Sequence, residues 1–160
     1  MERIRTLCVG RMKSGFCREG CAHYRQRLSR LYSVREMEVA DSRPGSEAVR
    51  VEEEGKSLLA RVRGDCLVVC MDEGGAAWST TEFASRLRAW VEIPSRIPCF
   101  VLGGAFGLSR NVLEVAHVVL SLGPMTLPHE LARLVLYEQL YRAATINWNR
   151  PYHHAGRREG

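Results

Sequence analysis

The chain has 160 residues, of which 46% are hydrophobic and 26% are charged, and its formal net charge is +5. These values favour one globular domain with a sizeable core and exclude an intrinsically disordered chain. No apolar run reaches the roughly 18 residues of a membrane span, and the first residues lack the apolar region of a signal peptide. We therefore expect a soluble cytoplasmic protein with a single domain over residues 1–160.

The basic residues are concentrated at the two ends of the chain. Residues 1–35 carry nine Arg and Lys against two Glu, and residues 141–160 carry four Arg against one Glu, whereas residues 36–140 have a net charge of −5. If the ends meet in the fold, they form a positive face suited to a nucleic-acid partner. A solvated helix face and a basic tail explain the same pattern, and both interpretations stay open.

The first third of the chain has the pattern of strand, helix, strand and helix. Arg5–Gly10 predicts a first strand, apolar residues at helical spacing predict a helix within Gly15–Tyr32, and Val34–Val39 predicts a second strand. After a Pro-Gly turn, Ser46 is the predicted cap of a helix that runs to about Val62, with acidic residues in its first half.

The middle of the chain continues the alternation. The continuous apolar run Cys66–Met71 is typical of a buried parallel strand, and Asp72–Ala77 is predicted as a glycine-containing loop. Ser79 or Thr80 then caps a helix to about Val91, with an acidic residue in its first turn.

The last third contains two further strands and two helices. Ile97–Leu102 is a predicted buried strand, followed by the tight loop Gly103–Gly107 and a short helix from about Ser109. A strand over about Val118–Leu122 precedes the final helix, which we predict from His129 to about Ala144.

Strands that alternate with helices predict an α/β layered fold with a largely parallel sheet. Ligands of such sheets bind at the carboxyl ends of the strands. Three predicted loops leave those ends, at residues 72–77, 103–107 and 123–128, and all are rich in Gly or Pro. The glycine loop matches neither the dinucleotide fingerprint nor the P-loop, so no nucleotide class follows from it.

The loop before the final helix contains two proline-marked turns, Gly123-Pro124 and Pro128. Pro128 fits a helix start, where its missing amide donor has no partner to lose. Gly123-Pro124 needs another explanation, because a plain connection requires one turn. We expect a loop of fixed shape that binds a ligand, with Leu122, Met125 and Leu127 forming an apolar slot around an adenine edge.

The final helix is apolar on more than one face, which indicates that it packs on its own sheet and on a second copy of the chain. We therefore predict a homodimer. Arg133, Glu138 and Arg142 interrupt the apolar surface. Charges inside an interface are costly unless they are paired, so either an ion pair or an Arg that reaches a phosphate or carboxylate explains them.

The six cysteines are expected to be reduced and structural. Cys66 and Cys70 lie on a predicted buried strand, where Cys behaves as a small apolar residue. Cys17 and Cys21 share a helix face, but the tighter paired spacing of a zinc site is absent. No ligand set in the sequence argues for a metal.

Three parts of the sequence resemble a known family. The C-terminal stretch "VLGGAFGLS…LSLGPMTLPHELARLVLYEQLYRAATI…PYHH" closely resembles the bacterial large-subunit ribosomal RNA pseudouridine N3-methyltransferases of the SPOUT class. The segments "VGRMKSGFCREGCAHYRQRLSRL" and "MDEGGAAWSTTEFASRL" resemble the same family, so the likeness covers nearly the whole chain.

The resemblance implies more than the spacing of residues can show. It implies a Rossmann-like core, a C-terminal trefoil knot over about residues 97–153, and a homodimer that binds S-adenosylmethionine in the knot loops without a metal. It implies methylation of N3 of a pseudouridine in a stem-loop (helix 69) of 23S ribosomal RNA, on assembled 70S ribosomes.

Matching positions imply the cofactor contacts. They are Met71, Gly103, Leu122, Gly123, Pro124, Met125, Thr126 and Leu127. The family more usually has Ser-Leu-Ser where this chain has Ser121-Leu122-Gly123. Phe106 is bulkier than the residue expected at its position, and a tail over residues 154–160 extends beyond the resemblance.

Methylation of a pseudouridine N3 requires loss of its proton, so a general base or a cation that stabilises the resulting anion is expected. We predict that Tyr152 and His153 orient the target base and that Arg142 is the supporting cation, with His129 and Arg133 as further candidates. The residue that takes the proton stays open. Two alternatives are a non-catalytic ribosome-binding factor and a SPOUT enzyme that methylates ribose or another base.

Overall fold

The computed structural model describes residues 3–154, in which five strands and five helices alternate along the chain. The elements are β1 (Ile4–Val9), α1 (Gly15–Leu28), β2 (Val34–Val39), α2 (Glu47–Leu59), β3 (Cys66–Ala77), α3 (Thr80–Val91), β4 (Ile97–Leu102), α4 (Arg110–Glu114), β5 (Val118–Ser121) and α5 (His129–Asn147).

The strands form one sheet in the order β2-β1-β4-β3-β5, and every neighbouring pair is parallel. The predicted α/β fold with a parallel sheet is therefore confirmed. Because all strands point the same way, their carboxyl ends lie along one edge, and the loops that follow β3, β4 and β5 meet there. Two apolar clusters cover the faces: one joins the sheet to α1, α3 and α5, and the other joins it to α2 and α4.

The local signals located most of the elements correctly. The residues predicted for β2 and β4 are those observed. Ser46, Ser79 and Ser109 are the N-caps of α2, α3 and α4, and each side chain accepts the expected backbone N–H. Ser79 and Glu82 also form a capping box.

The prediction of a loop over Asp72–Ala77 was wrong, because β3 continues to Ala77. The register between β3 and β5 shifts between Met71 and Ala76, so the residues between them bulge out before the strand pairs again. Gly75 makes this return possible: a Cβ atom there would lie 2.5 Å from the Val119 carbonyl oxygen. This extension of β3 depends on a close approach between two backbones and not on apolar side chains, so no apolar pattern in the sequence indicated it.

Two of the predicted helices end earlier than expected and one ends later. α1 ends at Leu28 and α2 at Leu59, whereas α5 continues to Asn147. Pro128 is the N-cap of α5, and its carbonyl accepts the N–H of Ala132. None of the helices within residues 3–154 is long and apolar enough to cross a membrane. All six cysteines are buried and free.

Polar contacts fix α5 to the neighbouring strands β1 and β2. Tyr137 is fully buried and donates its hydroxyl hydrogen to Glu36, so the Thr6 hydroxyl, 2.8 Å away, is the donor to the Tyr137 oxygen. Burial and the neighbouring Glu36 carboxylate raise the pKa of Tyr137 above its ordinary value. One turn earlier, Arg133 donates to the carbonyls of Val9 and Gly10 at 3.2 and 2.8 Å.

The first turn of α5 also holds the start of α1. Glu130 accepts hydrogen bonds from the backbone N–H groups of Lys13 and of Ser14, the latter at 3.1 Å. It replaces the N-cap side chain, since Ser14 makes no capping hydrogen bond. Burial alone would raise the pKa of Glu130, but the two N–H donors outweigh it and hold the pKa below the ordinary carboxyl value.

The Tyr137→Phe variant is expected to lower the free energy of unfolding by about 1–3 kcal/mol, because the buried Thr6 hydroxyl loses its partner and the Glu36 carboxylate loses one of its hydrogen bonds, although it keeps its ion pair with Arg25. Chemical denaturation measures the change. Tyr32→Phe is the matched control, since its hydroxyl makes only a 3.5 Å contact with Asn147. Equal unfolding free energies for the wild type and Tyr137→Phe would contradict this account of α5.

The Glu130→Gln variant is expected to lose about 1 kcal/mol of stability at neutral pH, as for other helix caps. Because the pKa of Glu130 is lower in the folded protein than its ordinary value, the ionised carboxylate stabilises the fold at pH values above the ordinary carboxyl pKa. This stabilisation disappears as the pH falls through the lowered pKa. The difference between wild type and variant should therefore vanish in acid. Denaturation curves from neutral pH to pH 3 test this. Glu114→Gln, in an exposed ion pair with Arg110, is the control and should show little change at any pH.

Candidate active site

A cavity of about 790 Å³ opens at the carboxyl edge of the sheet, beside the ends of β3, β4 and β5. Its walls are the bulge of β3, the glycine loop after β4, the loop after β5 and the first turn of α5. Cavities of this size are typical of sites for cofactors and other small molecules. The position is the one predicted from the alternation of strands and helices.

Seven of the eight residues implied as cofactor contacts line this cavity, and Pro124 is the exception. The seven are Met71, Gly103, Leu122, Gly123, Met125, Thr126 and Leu127. Among the candidate catalytic residues, His129 lines the cavity as well. The fold thus brings together residues that are more than 50 positions apart in the sequence.

The loop after β4 is closed on itself so tightly that it tolerates no side chain at its start. Gly107 donates its N–H to the Gly104 carbonyl at 3.2 Å and has a φ of +83°. A Cβ atom on Gly103 would lie 2.5 Å from the carbonyl carbon and oxygen of Gly107. Glycine is therefore required at Gly103 by the loop itself, and the backbone at the cavity wall has a fixed shape.

The loop after β5 is shaped by a buried serine. The Ser121 hydroxyl donates to the Gly123 carbonyl at 2.9 Å and accepts the Gly123 N–H at 3.1 Å. Gly123 has a φ of +130°, which side chains rarely adopt. The departure from the usual Ser-Leu-Ser therefore has a backbone reason, since this chain's turn requires a glycine there. Thr126 ties the loop to the β3 bulge by donating to Glu73 at 2.9 Å.

The lining suits a ligand with a flat apolar part and a polar, cationic part. Leu102, Leu120 and Leu122 supply apolar surface, and the carboxylates of Asp72 and Glu73 stand at the β3 side. Within residues 3–154, no group of three or more His, Cys, Asp and Glu side chains lies close enough to hold a metal ion.

Three of the candidate catalytic residues form a cluster at the far end of α5, and Glu138 holds it together. Glu138 accepts from Arg142 Nε at 2.9 Å and from the Tyr152 hydroxyl at 3.2 Å. The Arg142 guanidinium lies 4.7 Å from the centre of the Tyr152 ring. Its Nη1 lies 3.5 Å from His153 Nδ1, and because a guanidinium only donates, Nδ1 is the acceptor.

The environment of this cluster keeps Tyr152 and Arg142 protonated. Burial, together with Tyr24 and the Glu138 carboxylate, raises the pKa of Tyr152 above that of a free phenol. The hydrogen bond that Arg142 donates to Glu138 raises the pKa of Arg142 above its ordinary value. At neutral pH the cluster therefore presents a hydrogen-bond donor and a cation, which suits orientation and anion stabilisation rather than proton abstraction.

The five candidate residues do not meet within one chain. Arg142 follows His129 by thirteen positions, which is about 20 Å along a helix. Arg133 lies between them, is 3% exposed, and directs its guanidinium at the end of β1 and at Glu38, 3.7 Å away. Its contacts match the ion-pair interpretation of the charged residues on α5.

Sequence analysis gave an ion pair as one explanation of Glu138, and Glu138 does pair with Arg142. The spacing i, i+4 between Glu138 and Arg142 was the available signal. The second contact of Glu138, with Tyr152, was not predicted. Asp72 and Glu73 belong to the segment 72–77 that was predicted to lie at the ligand-binding edge, and they do line the cavity. No individual role was assigned to either carboxylate from the sequence.

The basic segments at the two ends of the chain do adjoin within the described residues. α1 lies against α5, and the Arg27 guanidinium is 6.0 Å from the centre of the Tyr141 ring. Of the predicted basic tail, residues 155–160 lie outside the described part of the chain.

A family model described as "Predicted SPOUT methyltransferase" matches residues 2–153. The chain belongs to the SPOUT methyltransferase family. Among curated proteins it is similar to three named "Ribosomal RNA large subunit methyltransferase H". The relative from Solidesulfovibrio magneticus is 46% identical over 96% of this chain and 100% of its own length. Those from Maridesulfovibrio salexigens and Anaeromyxobacter sp. are both 43% identical, over 96% and 94% of this chain and 99% of their own lengths.

Solved structures share the fold of this SPOUT methyltransferase. A probable methylase family protein from Haemophilus influenzae has a TM-score of 0.56 at 16% identity. The match covers 99% of this chain and 73% of the Haemophilus protein. A ribosomal RNA small subunit methyltransferase E from Neisseria gonorrhoeae, bound to S-adenosyl methionine, has a TM-score of 0.50 at 14% identity, over 88% of this chain and 66% of its own.

The Gly103→Ala variant is expected to bind S-adenosylmethionine at least about tenfold more weakly, or about 1.4 kcal/mol, because the new methyl group displaces the Gly107 backbone from the cavity wall. Titration calorimetry measures the affinity. Gly64→Ala is the matched control, since a Cβ there meets nothing within 4 Å. If the two variants bind equally well, the glycine loop is not part of the cofactor site.

Proposed function

We propose that this chain is an S-adenosylmethionine-dependent methyltransferase of large-subunit ribosomal RNA. The finer proposal is that it methylates N3 of a pseudouridine in helix 69 of 23S ribosomal RNA, on the assembled 70S ribosome. The observation that carries the proposal is the cavity at the ends of β3, β4 and β5, which gathers seven of the eight implied cofactor residues. The names and full-length similarity of the curated relatives support the substrate class.

The cavity residues fit the proposed cofactor, which supplies an electrophilic methyl group when bound. Leu122 and Leu127 offer the apolar slot for the adenine, and the two rigid loops present backbone groups beside it. Asp72 and Glu73 place negative charge near a ligand that carries a sulfonium and an ammonium group. The resemblance further implies that residues 97–153 form a trefoil knot, which would explain why these loops hold a fixed shape.

We propose that the active form is a homodimer in which the Glu138–Arg142–Tyr152 cluster serves the cavity of the other subunit. Within one chain the cluster lies about 20 Å along α5 from His129. Leu131 and Val135 of α5 are only partly covered by their own chain, so the helix retains apolar surface for a partner. An antiparallel pair of α5 helices would bring each cluster to the opposite cavity.

In this arrangement the residues divide the work. Tyr152 and His153 orient the target base, and Arg142 stabilises the negative charge that develops on the ring as its N3 loses a proton. His129 is the imidazole that lines the cavity, which makes it our candidate for the proton acceptor. Arg133 acts at a distance, by holding α5 against β1 through the carbonyls of Val9 and Gly10.

The test is methyl transfer from labelled S-adenosylmethionine to ribosomes from cells that lack this protein, followed by nucleoside analysis. Wild type should yield N3-methylpseudouridine. Arg142→Gln should lower the rate about 100-fold or more, as the loss of one charge-stabilising donor does elsewhere. Arg88→Gln is the control, because Arg88 forms the same i, i+4 pair with a glutamate on an exposed surface.

Mixing two inactive variants tests the shared site. Subunits with Gly103→Ala and subunits with Arg142→Gln should regain part of the activity when refolded together, since one of the two sites then has an intact cavity and an intact cluster. If dimers shown to contain one subunit of each variant regain no activity, the cluster serves the cavity of its own subunit. A methyl group found on ribose or on another base would assign a different SPOUT reaction, and ribosome binding without any product would favour the binding-factor alternative.

A further inference from the structure

One wall of the cavity carries an aromatic ring that the fold itself does not use. Phe106 lies within the glycine loop, belongs to neither apolar cluster, and remains 40% exposed while lining the cavity. The loop around it is closed by the Gly107–Gly104 hydrogen bond, so the position of its backbone is fixed. A large apolar side chain held rigidly at the mouth of a cavity marks a contact with a ligand or partner.

A cation supports this ring from α2. The Arg50 guanidinium lies 4.9 Å from the centre of the Phe106 ring, and its Nε donates to the Ser42 carbonyl at 2.7 Å. Both contacts restrict Arg50, so the ring and the guanidinium form one stiff unit. The positive charge beside the ring favours a polyanion at the exposed side of the ring.

More positive charge follows along the same edge of the sheet. Lys13, after β1, and Arg43, after β2, both approach the single carboxylate of Asp41, at 3.9 and 3.8 Å. Their side chains are 68% and 76% exposed, and one carboxylate cannot neutralise two cations. Ser42 joins this edge to the Phe106–Arg50 unit, because its carbonyl holds Arg50.

The geometry points to a binding surface for the RNA substrate on this rim, in which Phe106, backed by Arg50, stacks an unpaired nucleobase beside the target nucleotide, while Lys13 and Arg43 contact phosphates. The inference rests on the proposed function and specifies which surface of the chain receives the RNA. Single-stranded loops are commonly bound in this way, with bases on aromatic rings and phosphates on Lys and Arg.

The first test separates stacking of RNA on the Phe106 ring from binding of S-adenosylmethionine in the cavity. Phe106→Leu keeps an apolar side chain but removes the π face, whereas Phe106→Tyr keeps the face. Phe106→Leu should weaken binding to ribosomes from cells that lack this protein by about tenfold, and Phe106→Tyr should bind as wild type does. Affinity for S-adenosylmethionine, measured by calorimetry, should be unchanged in both. Equal ribosome binding by all three proteins, or a loss confined to S-adenosylmethionine binding, would overturn the inference.

The second test addresses the cations. The double variant Lys13→Gln, Arg43→Gln should reduce the slope of log affinity for ribosomes against log salt concentration by about two. The double variant Lys56→Gln, Arg88→Gln removes two comparably exposed cations elsewhere and should leave the slope unchanged. Equal slopes for the two double variants would overturn the phosphate contacts. Ribosome binding is measured without turnover, so these tests of the RNA surface do not depend on methyl transfer. If the wild type binds ribosomes but gives no methyl product, the proposed reaction is refuted, and the binding of the variants still tests the surface.

Discussion

The buried guanidinium of Arg133 is the contact on which the arrangement of the site depends. It joins α5 to the carboxyl end of β1 by donating hydrogen bonds to the Val9 and Gly10 carbonyls. Its Nη1 is buried and has no hydrogen-bond partner within the described residues, although Glu38 lies 3.7 Å away. A buried, incompletely bonded cation is costly. The fold retains it where the helix that lines the cavity meets the carboxyl end of β1.

Including this contact, successive parts of α5 have three different structural roles. Its first turn caps α1 through Glu130, its second and third turns bind β1 through Arg133 and Tyr137, and its far end carries the Arg142 cluster. The helix is therefore apolar on several sides without being featureless. This arrangement also explains why a simple amphipathic pattern is absent from a helix that is well anchored.

Local chemistry made much of the fold predictable, and long-range chemistry did not. Ser46 was predicted as a cap, and Ser79 as one of two candidate caps, because a cap and its partner lie three residues apart. The extension of β3 could not be predicted, since it depends on Gly75 meeting the backbone of β5. Likewise, the two interpretations of Arg133 could be separated only by its contacts with β1, which is more than 120 positions away. The cavity itself was located correctly from the alternation of strands and helices, while its detailed contacts relied on the family resemblance.

α5 is a rigid helix with candidate catalytic residues near both ends, so it fixes the distance and the relative orientation between them. Its length sets the separation between His129 and Arg142, and its winding sets the direction in which each side chain points. One residue inserted between Arg133 and Arg142 would shift the cluster by only about 1.5 Å but rotate it by about 100°. Under the proposed roles, the number of residues between Arg133 and Arg142 is therefore constrained by both distance and helical phase.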